Sequence, residues 1–169
     1  MSAEKYFREN FNEIKERALG EGICDHWFEI IENANSLDDL LKRGRSVPEL
    51  AYLYADEILK ETWPLAEEEI ATEAKWAYYY AVNVINGPWK FAEEVIATCP
   101  THSFFYAKYG IKGRFPLGEA IIATHPRYSY WYATEVIKAP FPLGEAIILT
   151  SDAHNREYQA FLGYTQGVK

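Results

Sequence analysis

Cysteine is scarce in this chain: two in 169 residues, Cys24 and Cys99. That excludes a disulfide-stapled scaffold. Long apolar runs are missing too. The longest, Trp76 to Ile85, is interrupted by Asn83 and falls well short of the ~20 residues that a membrane span needs. The N-terminal segment has no apolar stretch of the secretory kind, so a cytoplasmic location is the expectation. Positive charge is in deficit, with 17 Lys and Arg against 25 Asp and Glu and a net charge of −8. Nucleic-acid binders draw most of their affinity from a basic stripe, so direct nucleic-acid binding is not expected. The acidic excess is uneven. Residues 1–62 carry 8 basic and 14 acidic side chains, residues 63–169 carry 9 and 11. An acidic decoy of nucleic acid fits the first stretch; ordinary solubility fits it as well.

Aromatic residues, by contrast, are abundant. There are 5 Trp, 13 Tyr and 9 Phe, and 20 of these 27 lie at or after Trp63. Their spacing explains the excess. Trp63, Trp89, Phe115 and Phe141 stand 26 residues apart and open four gapless copies of one unit. Tyr54, Tyr80, Tyr106, Tyr132 and Tyr158 form a second column, and Ala55, Ala81, Ala107 and Ala133 a third. Leu59, Ile85, Ile111 and Ile137 form another. A fixed period of this length is the signature of a repeat architecture.

Each unit reads as two helices. Pro64, Pro116 and Pro142 follow the opening aromatic, a position where proline suits the first helical turn. A short helix then runs to Thr72, Thr98, Thr124 or Thr150, a residue suited to capping the helix that follows. The second helix carries Trp76, Ala77, Tyr80, Ala81, Val84 and Ile85 on one face. Gly87 and Gly113 are placed to end it. Helices this short do not persist alone in water, whereas stacked pairs bury their faces against one another. The expected fold is therefore all-α: a right-handed-type α-solenoid of stacked helix pairs with an N-terminal helical cap. Its parts are a cap over 1–47, a partial repeat over 48–62 and four repeats over 63–166, in one continuous domain. Within the cap, residues 3–18 form an amphipathic pattern with Tyr6, Phe7, Phe11 and Ile14 inward, broken by Gly20 and Gly22. A second helix is expected from about Asp25 to Asn33. Ser36 with Asp39 reads as an N-cap for a third.

The stretch Tyr106-Ala107 through Ile111-Lys112-Gly113-Arg114-Phe115-Pro116 to Glu119 resembles the short helical repeat of tailed bacteriophages and some giant viruses. The likeness spans about residues 48–166. It is weaker from Tyr80 to Glu93, where Asn86 replaces the lysine and Lys90 the proline. The resemblance implies a viral or prophage origin, no catalytic machinery, and a small protein acting on a host or viral protein, with host defence as one target.

Two columns are candidate partner-binding features. Glu67, Glu93, Glu119 and Glu145 recur in every full unit. They form either an acidic ladder for a basic partner or a structural contact repeated in each unit, a salt bridge to Lys60, Lys112 or Lys138 or a helix-dipole role. Leu53, Tyr79, Phe105 and Trp131 lie nearly opposite the Trp76/Tyr80 face. They are either packing between units or an aromatic stripe of the kind that anchors interfaces. The partner-binding set drawn from these columns is Tyr79, Phe105, Trp131, Glu67 and Glu93. A concave aromatic pocket for a small molecule or nucleotide is a further reading. Cys99 and His102 share a Cys-x-x-His spacing, with His125 one repeat on from Cys99. Neighbouring units stand roughly 9–10 Å apart, too far to share an ion, and a fourth zinc ligand is lacking. Cys24, Asp25 and His26 open a helix with diverging side chains. None of His26, His102, His125 and His154 lies beside a nucleophile motif. The expectation is no enzyme activity, no metal and no cofactor.

Overall fold

The computed structural model describes residues 1–20 and 30–167, and every regular element among them is a helix. The chain is all-α, built of stacked helix pairs, and it forms two compact units, Met1–Ile85 and Asn86–Lys169.

In the first unit, α1 (Ala3–Gly20) buries Ala3, Phe7, Phe11, Ile14 and Ala18. Tyr6 sits at the edge of that stripe, half-buried rather than inward. The helix kinks at Asn10, whose side-chain amide donates to the Tyr6 carbonyl at 2.9 Å. A side chain bonded one turn back competes with the helical ladder. α2 (Leu37–Lys42) opens on Ser36, whose hydroxyl accepts the Asp39 N–H at 3.2 Å, as the Ser36/Asp39 spacing predicts. α3 (Val47–Leu53) is capped in the same way by Ser46 and runs on into a π-helical turn, Tyr54–Leu59. A 3₁₀ turn at Pro64–Ala66 leads into α4 (Glu67–Ile70), and α5 (Ala74–Tyr79) again runs on into a π turn, Tyr80–Ile85. α1 lies on α2 and α3, and α3 contacts α4 and α5. Tyr6 and Phe7 of α1 meet the Trp63 ring edge-on, with centroids 5.3 and 5.7 Å away. The helix expected from Asp25 to Asn33, with Gly22, Cys24 and His26, lies largely outside the described residues.

The second unit repeats this design. Its short helices are α6 (Glu93–Ile96, after a 3₁₀ turn at Lys90–Ala92), α8 (Pro116–Ile122) and α10 (Pro142–Ile148). Its second helices are α7 (Pro100–Phe105), α9 (Pro126–Trp131) and α11 (Asp152–Gly167). π turns extend α7 over Tyr106–Ile111 and α9 over Tyr132–Ile137. Short helices pack on short helices (α6 on α8, α8 on α10), and second helices on second helices (α7 on α9, α9 on α11). The first-turn expectation holds for Pro64, Pro116 and Pro142, and Pro100 and Pro126 occupy the same position in α7 and α9.

Three local expectations are corrected. The repeating threonine closes the short helix instead of opening the next one. Thr72, Thr98, Thr124 and Thr150 each donate to the carbonyl three residues back at 2.7 Å. The second helices start at Glu73, Cys99 and His125, with no side-chain cap bond. The helix-ending residue is not the glycine but the one before it: Lys60, Asn86, Lys112 and Lys138 take positive φ of 57°, 56°, 59° and 52°. The second helices are also not α throughout. Their apolar pairs recur every four residues, and in an α-helix each such step drifts about 40° around the axis. A wider π turn takes up part of that drift; within it Tyr and Ala are buried and the closing aliphatic is half-buried.

The tyrosine column forms the centre of both units. Tyr54, Tyr80, Tyr106, Tyr132 and Tyr158 are all fully buried. Burying such a ring removes on the order of 150–250 Å² from water, an upper value of about 4–6 kcal/mol each.

Candidate interaction surface

The recurring carboxylate has a single repeated partner. Tyr80 donates its hydroxyl hydrogen to Glu67 at 3.1 Å and accepts the Trp63 backbone N–H at 2.7 Å. Tyr106 bonds Glu93 at 3.1 Å and the Trp89 N–H at 2.7 Å. Tyr132 does the same with Glu119 and Phe115, at 2.9 and 2.8 Å, and Tyr158 with Glu145 and Phe141, both at 3.0 Å. The opening aromatic precedes the short helix, so its N–H has no helical acceptor. The tyrosine supplies one, and the carboxylate takes the hydroxyl hydrogen. Burial pushes these four hydroxyls above the ordinary tyrosine value; the adjacent carboxylates add to the rise and the backbone N–H groups oppose it. Tyr54 has no glutamate one turn-pair back. Its hydroxyl meets Tyr6 at 3.4 Å and Arg17 at 3.3 Å instead. The lysines do not serve as the carboxylates' common partner: Lys60 pairs with Glu57, and Glu119 takes a second bond from Arg114. Glu67 and Glu93 are thus half-buried and already engaged by a hydroxyl.

The aromatic column divides along the chain. Leu53 is buried, Tyr79 is exposed, and Phe105 and Trp131 are half-buried. In the first unit, Tyr52 stacks on Trp76 (5.6 Å, 23°) and on Tyr79 (5.8 Å, 28°). The Tyr52 hydroxyl is pinned by Asp56 and Asn83 at 2.9 and 2.8 Å, and the Lys75 ammonium lies 4.0 Å over Trp76. Tyr52, Leu53, Lys75, Trp76 and Tyr79 line an open cavity of about 270 Å³. In the second unit, Phe104 touches Tyr128 and Trp131, each at 5.7 Å, and Phe105 stacks on Tyr109 at 6.0 Å. Lys108 lies over Phe104 and Arg127 over Trp131. The rings therefore form two preassembled clusters, each with cations over ring faces. Such clusters lose little side-chain freedom when a partner covers them, which is the property of an interface anchor.

The comparisons with known proteins come up empty. No family model, no curated protein and no solved structure matches this chain. Among the described residues, no three His, Cys, Asp or Glu side chains gather as a metal site, and no helix is long and apolar enough to cross a membrane. Cys99 is a free thiol at the start of α7.

A further surface escapes the column analysis. Leu65, Phe91, Leu117 and Leu143 are also one repeat apart. The last three are 64%, 52% and 58% exposed. A constant apolar column reads as core in any repeat sequence; only the direction in which the short helix turns its faces reveals this one as surface.

Proposed function

We propose that this chain is a non-enzymatic, protein-binding helical repeat of phage or prophage origin. It acts in the host cytoplasm on a host protein, as an inhibitor of host defence. The observation that carries the reading is the Tyr79, Phe105 and Trp131 column, one exposed and two half-buried rings held in preorganised clusters beneath exposed cations. Glu67 and Glu93 enter the surface as half-buried carboxylates bound to tyrosine hydroxyls, so the rings supply the contact. Affinity capture from bacterial lysates with mass spectrometry tests it. A host protein retained by the parent chain and lost from the Tyr79→Ala, Phe105→Ala and Trp131→Ala variants is the expected result. Equal capture by all four chains would sink the assignment of the column.

The cavity beside Trp76 favours a second reading, a small-molecule or nucleotide site. Its walls are stacked rings and one ammonium group, which suits a planar anion. Titration of nucleotides against the intrinsic tryptophan fluorescence separates the two readings. Saturable quenching abolished in Lys75→Ala supports the pocket, and a flat response removes it. The decoy reading has less behind it, because in residues 1–62 Glu4 and Asp38 pair with Arg8, Asp39 with Arg43, Glu49 with Arg45 and Glu57 with Lys60.

A further inference from the structure

We propose that the groove between the second helices of the first unit receives an arginine-bearing basic segment of a partner protein. The inference rests on the protein-binding reading above and names the chemistry that the Tyr79 end of the column takes. α3 with its π turn lies along α5 with its own, and two cavities open on this seam. The first, of about 270 Å³, is walled by Tyr52, Leu53, Lys75, Trp76 and Tyr79. The second, of about 110 Å³, is lined by Ala55, Asp56, Lys60, Asn83 and Val84. Tyr52 joins them. Its ring walls the first, and its hydroxyl is bonded to Asp56 and Asn83 of the second.

Three observations select a cation. The first is that one is already there. The Lys75 ammonium, on an exposed side chain, sits 4.0 Å over the Trp76 ring, so this ring face holds a positive charge in the free protein. A guanidinium is the better occupant, because it is planar, more weakly hydrated than an ammonium, and stacks on aromatic faces. The second is Asp56, half-buried in the adjoining cavity. It accepts the Tyr52 hydroxyl at 2.9 Å, and a carboxylate has further lone pairs for a second donor. Lys60 on the same wall is paired with Glu57 at 3.2 Å. The third is the distribution of charge. Residues 1–85 carry 9 basic and 18 acidic side chains, a net of −9, whereas residues 86–169 carry 8 and 7. The whole acidic excess belongs to the unit that holds this groove. It draws a basic segment in and opposes the planar anion considered above.

Isothermal titration calorimetry of the full chain with a capped hexa-arginine peptide reads the binding, with hexalysine and hexaglutamate as comparisons. Hexa-arginine should bind saturably and about fivefold or more tighter than hexalysine, and hexaglutamate should not bind. Tyr79→Ala and Asp56→Asn should each weaken hexa-arginine by about fivefold or more. Glu68→Gln, which removes an exposed carboxylate elsewhere on the same unit, should change it little. Lys75→Ala carries the sign. It removes the competing ammonium, so it should tighten hexa-arginine by about twofold or more, and by more than Lys42→Ala, which removes an exposed charge of the same kind. That is the reverse of its expected effect on a bound nucleotide. Because Lys75 is exposed, this variant keeps the test decisive should Tyr79→Ala or Asp56→Asn fail to fold. A flat titration overturns the proposal. So does equal weakening by Glu68→Gln, which marks diffuse attraction, or weaker binding by Lys75→Ala. A host protein captured through Phe105 and Trp131 by a chain that ignores hexa-arginine overturns the groove alone and leaves the protein-binding reading standing.

Discussion

α4 of the first unit and α8 of the second share a position in the repeat, and they differ almost wholly on one side. Inward, both place a glutamate against a tyrosine hydroxyl, Glu67 on Tyr80 and Glu119 on Tyr132. Outward, the α4 segment carries Glu68 and Glu69 where α8 carries Ala120 and Ile121. Glu68 is exposed, and Glu69 accepts the Ala3 N–H of α1 at 3.0 Å. The inward positions are bound by buried polar accounting: each opening aromatic has an N–H that needs an acceptor, and each tyrosine hydroxyl needs both a donor and an acceptor. The outward positions have no such obligation, so their chemistry can vary from repeat to repeat. In these two helices the repeated inward residues report architecture, and the divergent outward ones mark where recognition can reside.

The largest test of the inward half is alkaline pH. Four tyrosines that hold their protons above the ordinary value near 10 stabilise the fold fully below that pH and lose this contribution as pH rises toward their folded values. Once the unfolded hydroxyls ionise, each such tyrosine steepens the fall by about 1.4 kcal/mol per pH unit. Chemical denaturation between pH 9 and 12, as a working range of about three units, reads this directly. A flat stability profile there would contradict the locked column.

Removing one ring comes next. Tyr106→Ala should cost about 3–5 kcal/mol, because it empties a fully buried site and strands the Trp89 N–H. Tyr158→Ala, in α11, should cost clearly less, since among the described residues α11 packs chiefly on α9 and α10, on one side of the tyrosine. Equal losses would show that the terminal repeat is as tightly held as the middle of the stack.

A tight inward contact follows. A Cβ at Gly118 would overlap the Phe115 ring and stand 3.0 Å from the Ser103 Cβ, whereas one at Gly87 would meet nothing within 4 Å. Gly118→Ala should therefore destabilise by about 1–3 kcal/mol, and Gly87→Ala by much less, as thermal melts of the two would report. On the carboxylates, Glu93→Gln should cost about 1–2 kcal/mol through its weakened bond to Tyr106. The matching outward change, Glu68→Gln, should be nearly neutral. The smallest effect has the opposite sign. Lys112 holds φ at 59° without being glycine, so Lys112→Gly should stabilise by up to about 1 kcal/mol.

Much of this architecture could be read from residue columns. The 26-residue period, the proline-started short helices and the Ser36 cap follow from local chemistry and recur as expected. The glutamate column was recognisable as structural, but its partner was not. Tyr80 lies 13 residues from Glu67 and 17 from Trp63, separations at which no helical rule pairs side chains. Lys60, Lys112 and Lys138 looked like the natural counter-ions because charge is visible in a sequence and hydroxyl geometry is not. The Tyr79, Phe105 and Trp131 column reads from the sequence as nearly opposite the Trp76 face, but Tyr79 lies 6.0 Å from the Trp76 ring and Trp131 5.9 Å from Tyr128, and the gradation from exposed to half-buried depends on what each neighbouring ring covers.

Period, helix content and the buried tyrosine and alanine columns belong to the amino-acid sequence alone, because they arise from spacing and from the propensities of single residues and pairs. The scarcity of cysteine and of long apolar runs set the same limits at the outset. Three features were decided only when helices met. The π turns widen each second helix where its tyrosine and alanine are buried and leave the closing isoleucine half-buried. The hydroxyl lock joins residues that packing alone brings together. The outward turn of Phe91, Leu117 and Leu143 depends on which face of each short helix the stack has already occupied.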